Sequence, residues 1–290
     1  MQEQLINRAC ELLADGTVTR VFGWQKGLFD SDITPAQFSS AEELKKDFVY
    51  NEYCGANMSK YMISESRKEG RVLVFLKPCD TYSFNQLLKE HRIIRENVYV
   101  IGVPCDGMKN PETDARAERC ENCKSKKHVV YDELIGEEGE EQQSNRFALV
   151  TKLEGMTAAE RFEFWRGELS RCIRCNACRN VCPACSCENC VFDNPNSGIA
   201  QKAAADSFEE NMFHIIRAFH VAGRCTDCGE CSRVCPQHIP LHLLNRKFIK
   251  DIDELYGDFQ AGADTETRAP LNTYEKTDVE PSIVYSRGND

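Results

Sequence analysis

The chain has 290 residues, room for about two domains, and its 41% apolar content is that of an ordinary globular protein rather than a disordered one. A formal net charge of −10 with no basic stripe excludes nucleic acid as a partner. The longest apolar runs, such as 72–76 and 98–103, are far too short to cross a bilayer, so no membrane span is expected. The polar N-terminus MQEQLINRAC reads as an amphipathic helix rather than an export signal, which makes the expected compartment the reducing cytoplasm.

Leu5, Ala9, Leu12 and Leu13 recur at helical spacing across residues 2–14, and Gly16 ends that run. Cys10 lies inside it as a small core residue. Residues 17–24 alternate and favour a strand. A helix over 58–68, stopped by Gly70, leads into a buried strand at 71–76. Pro78, Cys79, Asp80 and Thr81 follow, and then a helix over 82–91 for which Asp80 or Thr81 is the expected cap. The strand 98–103 likewise ends in Pro104-Cys105-Asp106-Gly107. Strands alternating with helices predict an α/β domain with a mainly parallel sheet. Residues 132–146 read as a solvated acidic loop and 146–153 as a last strand.

Parallel sheets bind ligands at the carboxyl ends of their strands, so Cys79 and Cys105 are expected on one sheet edge. Cys120 and Cys123 form a CxxC pair further on. On the residues alone, two core cysteines and an incidental pair account for this pattern equally well.

A helix over 157–171, bearing Phe162, Phe164, Trp165 and Leu169, delivers the chain into residues 172–190, which hold seven of its 17 cysteines. Such density is a ligand set, not a core. Cys172, Cys175, Cys178 and Cys182 before Pro183 have the spacing CxxCxxCxxxCP, and Cys225, Cys228, Cys231 and Cys235 before Pro236 repeat it. In this pattern three thiolates hold one [4Fe-4S] cluster and the fourth serves the other. The expected sets are therefore Cys172, Cys175, Cys178 with Cys235, and Cys225, Cys228, Cys231 with Cys182. Zinc knuckles need two CxxC pairs or Cys/His mixtures, and no third cysteine followed by proline.

Between the two runs, a helix over 207–223 is expected to turn Phe213, Ile216, Ala218 and Phe219 inward, with His214 and His220 as packing or hydrogen-bonding residues. A final helix spans 241–256, and the polar, proline-interrupted remainder reads as an extended arm. The expected division is a domain at 1–153, an α-helical two-cluster domain at 154–257 and a docking arm at 258–290. Cys54, Cys185, Cys187 and Cys190 remain. The CxCxxC run suits one metal centre, and Cys54 would complete it if the two domains pack there; a fourth cluster, a zinc ion and free thiols stay open as alternatives.

The stretch GANMSKYMISESRKEGRVLVFLKPCDTYSFNQL, then VYVIGVPCDG, then RCENCKSKKHVVYDELIG resembles the beta subunit of deazaflavin-coenzyme-reducing hydrogenases and formate dehydrogenases, over about residues 1–150. That resemblance implies one [4Fe-4S] cluster on Cys79, Cys105, Cys120 and Cys123. The family's glycine-rich, FAD-contacting segment lies ahead of the first helix, where this chain starts. The words HVAGRCTDCGECSRVCPQHIPLHLL are similar to the α-helical ferredoxin module of succinate dehydrogenase and heterodisulfide reductase iron–sulfur subunits.

The sequence holds no phosphate loop, no GxGxxG and no nucleophile paired with its base, so its chemistry is electron storage and transfer. The expectation is an electron-transfer subunit whose partners are other redox subunits of the hydrogenase, formate dehydrogenase, flavoprotein or heterodisulfide-reductase type. The alternative is a flavin-containing oxidoreductase subunit that passes electrons from a nicotinamide or deazaflavin coenzyme to the clusters.

Overall fold

The computed structural model describes residues 1–141, 144–188, 190–193 and 207–271. The α/β part runs α1 (Gln2–Ala14), β1 (Arg20–Lys26), β2 (Ile33–Phe38), α2 (Ala41–Asp47), α3 (Met62–Glu65), β3 (Val72–Leu76), α4 (Pro78–Lys89), β4 (Val98–Gly102), α5 (Glu118–Glu121) and β5 (Glu133–Leu134). The helical part comprises α6 (Ala148–Glu154), α7 (Ala158–Leu169), α8 (Ala177–Asn180), α9 (Ser207–His220), α10 (Glu230–Arg233) and α11 (Leu241–Tyr256).

The sheet has five strands in the order β2-β1-β3-β4-β5. β1 pairs antiparallel with β2, and every other pairing is parallel. Every residue of β3 is buried, as a central parallel strand covered on both faces must be. Leu5, Ala9 and Leu12 of α1 join Trp24, Leu73, Phe75 and Phe84 in one core. The register Leu76↔Gly102 brings β3 and β4 to an end side by side. The Pro-Cys steps that follow these strands therefore share the same sheet edge.

Several local readings change. The expected helix over 58–68 is a 3₁₀ turn at Ser59–Tyr61 plus the single turn α3. Its next acceptors are taken: the Arg20 guanidinium donates to the carbonyls of Glu65 and Glu69, each at 2.7 Å. α4 begins at Pro78, whose missing N–H suits a first helical position, and its cap is Lys77, with Asp80 in the first turn accepting from the Lys77 amide. Residues 148–154 are helix α6 rather than a strand, since buried Val150 and Leu153 repeat every three residues. The acidic loop contains the edge strand β5. The hairpin strand β2 and helix α2 were not anticipated, although Ser40 accepts from the Glu43 amide in the manner of an N-cap. Phe219 points outward, 61% exposed, with its ring against Phe248 of α11.

The described start of the arm, residues 258–271, folds back on the molecule. Ala261 and Ala269 are buried, and a Cβ on Gly262 would run into the Tyr82 carbonyl. The arm's remainder, 272–290, and residues 194–206 of the insertion lie outside the described residues. Among the described residues no helix is long and apolar enough to cross a membrane.

Leu73, fully buried at the centre of β3, is the test of this core. Leu73→Ala is expected to cost about 2–5 kcal/mol of unfolding free energy in anaerobic denaturant titrations. A loss under about 1 kcal/mol would place the stabilising core elsewhere.

Candidate metal centres

The first cysteine group stands on the sheet edge. Cys79 lies in the first turn of α4, Cys105 follows β4, and Cys120 and Cys123 sit in and after the short helix α5; all four line one cavity. Lys77 of the same wall is 1% exposed, with its Nζ 2.9 Å from Asp80 Oδ2, 2.8 Å from the Ala56 carbonyl and 4.5 Å from the Trp24 ring centroid. Lys126 Nζ donates to the Cys105 carbonyl at 2.9 Å. Burial, and then the Asp80 carboxylate, push the Cys79 thiol well up, while Lys77 pulls the other way; burial also raises Cys105. Cys228, from the second cysteine run, lines the same cavity.

The two runs fold alike. Arg174 and Asn176 in the first, and Asp227 and Gly229 in the second, all have positive φ, and each pair leads into a four-residue helix carrying the third cysteine. Left-handed residues placed between cysteines wind the backbone around a centre and turn its amides inward. The Arg174 amide indeed donates to Cys172 Sγ at 3.4 Å. Gly229 meets a second demand, for a Cβ there would stand 2.7 Å from Arg119 Cδ.

Cys172, Cys175 and Cys178 line a second cavity together with Cys235, which arrives from the other run. His214 Nε2 lies 3.3 Å from Cys172 Sγ. Burial first, and then Arg217 and Arg174, hold His214 down at about 3, so it is a neutral imidazole at ordinary pH. Cys182 lies among Cys225, Cys228 and Cys231. Burial leads in raising all three, with Cys228 pushed up to about 12 and Cys231 to about 11, and the Cys182 sulfur adds to each. Cys182 itself is held below its ordinary value, by the Cys185 thiol hydrogen-bonded to it and by Arg217.

These donor sets suit iron–sulfur clusters. Buried sulfurs gathered around cavities need metal charge before they can ionise together, and iron supplies it. Among the described residues no three His, Cys, Asp or Glu side chains close on the single point a lone ion would occupy.

The remaining four cysteines are not brought together. Cys185, Cys187 and Cys190 line a cavity of their own with Lys60, Arg217 and Arg224. Cys54 is fully buried in the α/β core, its Sγ 3.3 Å from the Asn51 amide and 3.6 Å from the Val49 carbonyl, with Lys77 and Cys105 as its charged neighbours. The loop around Cys54 does meet the helical part, but through other groups. The Asn57 amide donates to Glu230, and Lys60 Nζ donates to the carbonyls of Cys182 and Cys185.

Sequence reasoning passed over the charged residues that join these groups. Glu230, inside the second run, is fully buried; it accepts from Arg119 at 2.5 Å, from Arg233 at 2.7 and 2.8 Å, and from the Asn57 amide at 3.1 Å. Arg217 on α9 is 1% exposed, and none of its three guanidinium nitrogens has a hydrogen-bond partner among the described residues. The sulfurs of Cys231, Cys178, Cys182 and Cys185 are its neighbours. The available signal was helical spacing, because Arg217 falls one turn after the inward Phe213.

Burial raises the Glu230 carboxyl, but Arg233 and Arg119 outweigh it and hold the group at about 2. A depressed carboxyl stabilises the fold above its ordinary value of 4.5, and that contribution disappears as pH falls through about 2. Glu230→Gln is expected to cost about 3–5 kcal/mol at pH 7, by leaving two guanidinium groups without their buried counter-charge. The gap from wild type should narrow on acidification below pH 4.5. A pH-independent gap in the unfolding midpoints would remove charge from the explanation.

Comparison with known proteins agrees with this arrangement. Residues 168–239 match the family model described as a 4Fe-4S dicluster domain. The F420-dependent formate dehydrogenase subunit beta of Methanocaldococcus jannaschii is 22% identical over 84% of this chain and 88% of its own length. The F420-dependent formate dehydrogenase 1 subunit beta of Methanococcus maripaludis is 32% identical over 35% of this chain and 26% of its own. The chain is thus homologous to formate dehydrogenase beta subunits over most of its length and, as an iron–sulfur electron-transfer protein, carries multiple [4Fe-4S] clusters on a helical ferredoxin module that follows a mainly parallel α/β sheet.

Proposed function

We propose that this protein is the electron-transfer subunit of a cytoplasmic, multisubunit formate dehydrogenase-type complex. Its domains would be 1–153 and 154–257, with 258–290 as the docking arm. Cys79, Cys105, Cys120 and Cys123 would hold one cluster, Cys172, Cys175, Cys178 and Cys235 a second, and Cys225, Cys228, Cys231 and Cys182 a third. When bound, such clusters store and release single electrons at potentials set by the protein around them.

The observation that carries this reading is the contiguity of the sulfur sites. Cys228 forms part of the wall of the Cys79 cavity, and Cys178 and Cys182 are the sulfur neighbours of Cys231. The chain's own residues do the remaining work. Core packing keeps water from Cys178, Cys182 and Cys231, the left-handed turns aim amides at the sulfurs, and Lys77, Arg119 and Arg217 place positive charge where added electrons would be stabilised. Similarity to two formate dehydrogenase beta subunits supports the choice of complex.

Cys235→Ser provides the test. Spectroscopy of the anaerobically purified protein should show the altered signal in the cluster held mainly by Cys172, Cys175 and Cys178, while the Cys225 set is spared. The reverse pattern would overturn the crossed ligand sets. Stoichiometric flavin in the purified chain would instead make it the flavin-bearing subunit.

A further inference from the structure

We propose that Cys185, Cys187 and Cys190 hold an additional iron–sulfur cluster on three thiolates, with its fourth iron turned toward a cation-lined opening where it takes a small anionic ligand from outside the chain. The inference deepens the electron-transfer reading and rests on it, since the site adjoins the Cys182 set.

The three thiols line one cavity, and each has a cation beside it. Lys60 and Arg224 act on Cys185 and Cys187, Arg217 acts on Cys185, and Arg179 is hydrogen-bonded to Cys190. Cations around a group of thiols offset the negative charge that three metal-bound thiolates would bring. Other cations of this wall are already engaged. Arg224 pairs with Glu90 and Arg179 with Asp193, whereas Arg217 is buried with all three guanidinium nitrogens unpartnered among the described residues. A buried guanidinium without hydrogen bonds is strongly unfavourable, so an anionic body belongs against it. A cluster on three thiolates is such a body, and Arg217 can face it as well as the Cys178 and Cys182 sulfurs.

No fourth thiol completes the site. Apart from the three sets of four, only Cys10 and Cys54 remain of the chain's 17 cysteines, and both pack with the α/β core. Cys187 is exposed and so marks the mouth of the cavity, which Lys60 and Arg224 also line. An iron facing that mouth would have an open coordination position in a positive field, which selects an anion.

The test uses the full-length protein, isolated anaerobically, with iron, sulfide and zinc counted and the reduced clusters followed by electron paramagnetic resonance during titration with cyanide. Wild type is expected to hold about sixteen irons, and the triple variant C185S/C187S/C190S about twelve. Cyanide should shift one signal in wild type and none in the triple variant. C187S alone, at the exposed position, checks the same loss with less disturbance of folding. About twelve irons in wild type, unchanged in the variants, would overturn this inference while leaving the three-cluster reading intact; about eight or fewer would overturn both. One zinc per chain lost from the triple variant would also overturn it. Loss of about four irons in His220→Ala would assign the fourth position to that imidazole, which lines the same cavity, and so overturn the open site.

Discussion

The buried carboxylate of Glu230 is the interaction on which the rest of the molecule depends. It lies inside the second cysteine run yet receives hydrogen bonds from Arg119 and the Asn57 amide, both in the α/β part, as well as from Arg233 of its own helix. Arg119 in turn donates to the carbonyls of Gly55 and Cys228, so a single guanidinium ties the loop, the CxxC pair and the second run together. Removing a charge from water is unfavourable unless its partners are fixed in place. The carboxylate and its cations therefore fix the relative position of two separately built sulfur sites.

A second constraint comes from crowding sulfurs together. Bare, the buried thiols of Cys79, Cys225, Cys228 and Cys231 resist ionisation, because each would place a negative charge in an apolar setting beside others. The chain offsets this with basic residues held behind the sulfurs, among them Lys77, Arg119 and Arg217, rather than with polar side chains open to water. Burying these cations is tolerable only if anionic centres face them. The protein thus has a net charge of −10 overall yet keeps Lys77 and Arg217 buried beside its sulfurs.

Much of this was legible in the sequence for physical reasons. Strong periodicities such as those of α1, α4 and α11 show through because a long apolar stripe has only one way to be buried. The edge position of Cys79 and Cys105 followed from strand order, and the crossed placement of Cys235 from spacing. Some elements escaped: β5 and α3 span too few residues to show a period, α3 being bounded by its tertiary partner Arg20, and β2, with Pro35 inside it and only Phe38 buried, presents no apolar face. Cys54 was misplaced because a lone cysteine carries no direction, and only the folding of residues 49–58 into the α/β core shows where it goes. The ion pairs were invisible because Arg119 and Glu230 are far apart in sequence.

The proposed exchange of cysteines between the two runs also bears on biosynthesis. As the chain leaves the ribosome, Cys172, Cys175 and Cys178 emerge long before Cys235, whose side chain lines their cavity. Cys182 likewise waits for Cys225, Cys228 and Cys231. With the ligand sets proposed above, neither run would complete a cluster on its own, and iron offered to the first run alone would meet three of its four thiols. On the proposed ligand sets, both clusters are thus completed only after the second run has been made.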